Sequence, residues 1–166
     1  MNFTKIVEDE QINGSGKDER INEFYQMVEI ANKRIIVCFI MDETKSNVGC
    51  LSEVYDITAY TFEVQNNLKS NVLENCSTDS EHDSFSMYKL TEQSVVIGCG
   101  TSDLQIVELY YNLQSKGNVI KITESNYSFL DFSVLTTDKL YIVLAVKSGS
   151  TYSYYGDVYY LPKCQD

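Results

Sequence analysis

Apolar and polar positions alternate with a period near two along most of this chain, and the alternation is organised into a phrase that occurs three times. Phe24–Ile40 (FYQMVEIANKRIIVCFI), Phe85–Gly100 (FSMYKLTEQSVVIGCG) and Phe129–Val146 (FLDFSVLTTDKLYIVLAV) each begin with an aromatic residue. An alternating segment follows, then a short polar turn, then a nearly unbroken apolar run. After each run comes a loop and a third segment rich in Val, Tyr and Leu: CLSEVYDI, DLQIVELYY and GDVYYLPK. Such alternation between polar turns predicts antiparallel strands, and recurrence of the whole phrase predicts tandem sheets built to one plan.

The first unit, residues 22–66, places strands at Glu23–Ile30, Arg34–Met41, Cys50–Ile57 and Thr61–Gln65. The second, 84–124, places them at Phe85–Leu90, Ser94–Gly98, Gln105–Tyr111 and Asn118–Thr123. The third, 127–161, gives Phe129–Leu135, Leu140–Val146 and Asp157–Leu161. Between the first two units, Asn66–Ser84 is polar and reads as a long loop, as does Gln11–Arg20 near the start. Asp18–Ile30 also carries apolar residues at helical spacing (Ile21, Phe24, Tyr25, Val28), but its parallel with Phe85–Leu90 favours a strand. The expectation is one all-β domain over residues 1–166, in which the second strand of each unit is covered on both faces.

A length of 166 residues and 43% apolar content suit a single domain with a real core. The net charge of −11 repels phosphate backbones and anionic lipid surfaces, so direct nucleic-acid or membrane contact is not expected. The N-terminal MNFTKIVEDEQING has no apolar core of a signal peptide, and the odd count of five cysteines (Cys38, Cys50, Cys76, Cys99, Cys164) fits reduced thiols. A cytoplasmic location is therefore expected, although a secreted protein given an artificial start would read the same. Asn2, Asn13, Asn75 and Asn126 each open an Asn-x-Ser/Thr triplet, a pattern that also arises by chance in an Asn- and Ser-rich chain.

Candidate chemistry is sparse. The one histidine, His82, lies among Asp79, Glu81 and Asp83, which would raise its pKa, but it reads as a solvated loop residue. That cluster lacks the spacing of a calcium loop, and Cys38 and Cys50, the closest cysteines, are too far apart for a zinc knuckle. Cys38 and Cys99 fall at matching points of repeated strands and read as small buried hydrophobes; were the chain secreted, Cys38 or Cys50 with Cys164 would be the pairing to test. Gly98-Cys99-Gly100 and Gly14-Ser15-Gly16 read as turns rather than phosphate cradles. No catalytic residue, metal or cofactor is expected. Tyrosine supplies contact area at low entropic cost, and the cluster Tyr152, Tyr154, Tyr155, Tyr159 and Tyr160 is the candidate surface; Tyr152, Tyr154 and Tyr155, in a stretch that reads as an inter-strand loop, are the candidate binding residues.

The gradient from a greasy second strand to a polar fourth strand (TFEVQ, VIKIT) is how propeller blades are graded from channel to rim. VVIGCGTSDLQIVELY resembles blades of the WD40-like superfamily, and the long connection in IIVCFIMDETKSNVGCLSEVYDI is similar to blades of CPSF-A and damaged-DNA-binding-type propellers. The likeness covers most of residues 22–161 as strand pattern, without a Trp-Asp or Gly-His signature. It implies tandem four-stranded blades, with Phe3–Glu8 as a strand closing the last, and a non-enzymatic scaffold that binds protein partners or itself. The rival is a lipocalin-like up-and-down barrel. Asn22 and Phe24 in NEFYQMVEIAN stand at that family's Gly and Trp positions, and Val134–Val146 resembles its later Thr-Asp-Tyr segment. That likeness implies a carrier of a small hydrophobic ligand.

Overall fold

The structure, a computed structural model, describes residues 25–31, 33–40, 47–56, 61–76, 85–100, 103–123, 128–148 and 150–161. Every regular element among them is a strand. In chain order they are β1 (Tyr25–Ile30), β2 (Arg34–Ile40), β3 (Val48–Asp56), β4 (Thr61–Leu73), β5 (Phe85–Thr91), β6 (Ser94–Cys99), β7 (Asp103–Tyr110), β8 (Ser115–Thr123), β9 (Ser128–Thr136), β10 (Lys139–Ser148) and β11 (Thr151–Tyr160). The helical alternative for Asp18–Ile30 is thereby overturned over Tyr25–Ile30, while Phe3–Glu8 lies outside the described residues.

The strands form three separate antiparallel meanders, β1-β2-β3-β4, β5-β6-β7-β8 and β9-β10-β11, and no closed barrel among the described residues. Within each sheet every strand pairs with its chain neighbour, so the hairpin rhythm of the sequence becomes the topology directly. The sheets lie side by side with their first strands closest: β1 neighbours β5, and β5 neighbours β9.

Strand parity explains the layering. In β6, Val95, Ile97 and Cys99 face the first sheet, where they meet Ile36, Cys38, Ile40, Val48, Cys50 and Leu73. On the opposite face Val96 joins Leu104, Ile106, Phe129, Phe132, Leu140, Ile142 and Leu144, the core shared with the third sheet. All six β6 positions are buried, as expected for a strand covered on both faces. Gly98 is part of this strand, not of a turn. A Cβ there would come within 2.5 Å of the Phe132 ring, so the missing side chain lets β9 seat its aromatic against β6. The turn begins at Gly100, whose φ of +118° and crowding by the Asp103 carbonyl demand glycine.

Two further expectations are corrected. The supposed loop starting at Asn66 continues β4 as far as Leu73. Three register shifts against β3 absorb its extra residues, and Val72 and Leu73 turn inward to the core. A polar strand at the sheet edge needs only its backbone ladder, which is why its composition resembled a loop. The cysteines are bonded rather than free: Cys38 with Cys50, directly opposite on β2 and β3 with Cα atoms 4.1 Å apart, and Cys76 with Cys99 at 5.5 Å. The second bond joins the exit of β4 to the end of β6, tying the first sheet to the second. Cys164 lies outside the described residues.

Candidate interaction surface

In the third sheet β10 is covered on one face and open at Tyr141 on the other, while β11 has no buried position, Tyr155 included. Inward, β10 presents Leu140, Ile142 and Leu144, all buried, opposite Tyr159, Asp157 and Tyr155 of β11. Outward, the cross-strand partners are Lys139 with Tyr160, Tyr141 with Val158, Val143 with Gly156, and Ala145 with Tyr154. Gly156 makes this outer face flat: the Tyr141 ring lies where a Cβ of residue 156 would stand, so the ring spreads across β11 rather than projecting from it. Around it Tyr160 is 71% exposed, Tyr154 66% and Val158 51%. The Lys139 ammonium sits 5.3 Å from the Tyr160 ring centroid, within cation–π range. The face is thus aromatic and apolar at its centre and carries a cation at its margin.

The three tyrosines singled out in the sequence all fall on β11, but not as a loop. Thr151–Tyr160 is one continuous strand, ten residues paired with Lys139–Ser148. Its hydroxyl- and glycine-rich start suggested a loop because an edge strand tolerates polar residues on both faces. Parity separates the three: Tyr154 and the half-buried Tyr152 share the outer face, whereas Tyr155 pairs with Leu144 on the other. Tyr160, part of the tyrosine cluster seen in the sequence, belongs to the surface, as do Tyr141 and Val158, which were not anticipated. The i, i+2 spacing of Tyr154, Gly156, Val158 and Tyr160 was the available signal, obscured by tyrosines at positions of both parities.

Two other arrangements merit description. At one end of the sheets, the β1–β2, β5–β6 and β7–β8 turns are stitched together: the Ala31 N–H donates to the Glu92 carbonyl at 3.0 Å and the Tyr111 N–H to the Gln93 carbonyl at 2.9 Å. They enclose a cleft of about 360 Å³ lined by Ile30, Ala31, Arg34, Glu92, Gln93 and Tyr111. Arg34 donates to Ser52 Oγ at 3.3 Å and lies 4.9 Å over the Tyr111 ring, so its guanidinium is engaged on two sides. Between β5 and β9, Asp131 accepts hydrogen bonds from Ser86 Oγ at 2.5 Å and from Tyr88 Oη at 3.2 Å. Burial, and then the adjacent Asp131 carboxylate, push the Tyr88 phenol above its ordinary value of 10.0. This cluster fastens neighbouring sheets.

No cluster of three metal-ligating side chains occurs among the described residues. His82, its acidic neighbours and Gly14-Ser15-Gly16 lie outside them. No family model, curated protein or solved structure matches the chain.

Proposed function

We propose that this chain is a non-enzymatic protein-interaction module: three blade-like sheets of a propeller-type array, docking another sheet through the outer face of β10 and β11. The observation that carries the reading is a mismatch within β10. Its run LYIVLAV is as apolar as that of β6, which two sheets cover, yet Tyr141 is exposed and its β11 neighbours more so. A strand written for two covered faces has one sheet packed on it among the described residues. The aromatic outer face supports a partner of the kind that fills the other two interfaces, a β-sheet presenting aliphatic side chains, and a second copy of this chain is such a partner. Tyrosine-rich, flat and partly cationic at its edge, the surface also has the composition of interface cores.

The lipocalin-like alternative needs a continuous closed wall around one cavity, and the three sheets do not supply it among the described residues. Sedimentation velocity of the full chain over a concentration series tests the proposal. The wild type is expected to associate, and the pair Val158→Lys/Tyr160→Lys to remain monomeric at unchanged thermal stability. A wild type monomeric throughout, or association indifferent to these substitutions, overturns it.

A further inference from the structure

We infer that Asn75 is an acceptor for an N-linked glycan and that the chain matures in an oxidising compartment. Two independent observations meet at this residue. The first is chemical setting: four buried cysteines are joined as Cys38–Cys50 and Cys76–Cys99, bonds that persist where thiols are not kept reduced. The second is position. Asn75 opens the triplet Asn75-Cys76-Ser77, the pattern that oligosaccharide transfer to an asparagine amide requires.

The local geometry presents this amide to solvent. Asn75 follows β4, is exposed, and has a φ of +55°. Its main chain is fixed on both sides: the N–H donates to Asn47 Oδ1 at 3.3 Å, and the buried Gln105 donates through Nε2 to the carbonyls of Glu74 at 2.7 Å and Asn75 at 3.4 Å. Cys76 is then anchored to Cys99. The backbone is held from within, and a glycan on Nδ2 would stand in water without displacing any of these contacts. It would also leave the proposed docking face untouched, because the whole second sheet lies between β4 and the third.

In the transfer, Asn75 Nδ2 attacks the anomeric carbon of a lipid-diphosphate-linked oligosaccharide. The new C–N bond replaces the anomeric C–O bond, the lipid diphosphate leaves, and one amide proton is released. An alternative account is purely conformational, since asparagine is among the few residues at ease with positive φ. The two accounts separate experimentally.

The full chain, routed through the secretory pathway of a eukaryotic cell, is digested with peptide-N-glycosidase in heavy-oxygen water and mapped by mass spectrometry. Asn75 is expected to read as labelled Asp, to lose the label in Ser77→Ala, and to keep it in Ser77→Thr. Asn75→Gly, which preserves the left-handed backbone, is expected to lose the glycan but not the fold. Transfer precedes folding, so chain retained in the cell scores equally. Alkylation of the denatured but unreduced wild type is expected to spare Cys38, Cys50, Cys76 and Cys99. An unlabelled Asn75 in the wild type, or alkylation of those four thiols, overturns the inference.

Discussion

The second and third sheets carry equally greasy central strands, yet they occupy different situations. In β6 every side chain is buried, with Val95, Ile97 and Cys99 against one neighbour and Val96 against the other. In β10, Leu140, Ile142 and Leu144 are buried, whereas Tyr141 looks outward beside exposed Val158 and Tyr160. The same binary pattern therefore reports how many faces a strand can cover, not how many the described residues of its own chain cover. The contrast is what the proposed docking face of the third sheet rests on.

The comparison is sharpest in stability. Phe129, 1% exposed between the second and third sheets, is expected to cost about 3–5 kcal/mol on truncation to Ala. Tyr154→Ala, on the open face, should stay within about 0.5 kcal/mol of wild type in the monomer. Urea unfolding of both variants checks this, and a large loss for Tyr154→Ala would show that the outer face is already covered.

A smaller effect is expected where β6 and β9 approach most closely. Gly98→Ala drives a methyl into the Phe132 ring and should cost about 1–3 kcal/mol. Combining it with Phe132→Leu is expected to recover part of that loss, giving a coupling of about 0.5–3 kcal/mol in a double-mutant cycle. Strict additivity would mean that the two residues do not share the space.

The smallest effect belongs to Tyr88. Tyr88→Phe removes a partly exposed hydrogen bond to Asp131 and should cost about 0.5 kcal/mol at neutral pH. Because the folded phenol titrates above 10.0, the unfolded chain releases this proton first as pH climbs past that value. Stability is level below pH 10.0 with respect to this group and declines above it until the folded phenol ionises. The alkaline limb of a stability–pH curve should therefore be shallower in Tyr88→Phe. Equal slopes would remove Tyr88 from the account.

Strand positions were legible because each apolar run ends at turn residues: Lys33, Glu92-Gln93 and Thr137-Asp138 stand where hairpins reverse. What escaped was information that sequence alternation does not hold. The end of β4 is written in polar residues whose only structural debt is backbone pairing, and bulges blur its period. The disulfides join residues distant in sequence, so an odd cysteine count pointed away from them. The open face required knowing which parity of β11 looks outward, and Tyr154 and Tyr155 sit on opposite sides of one strand.

The Cys76–Cys99 bond has a mechanical corollary. It welds the first and second sheets, while among the described residues the third is attached to them by side-chain packing and the Asp131 contacts, with no disulfide between them. Under load or heat the molecule should yield as a rigid pair and a detachable leaf. That leaf carries Tyr141, Tyr154, Val158 and Tyr160, so a partner clasping it would also brace the weakest joint.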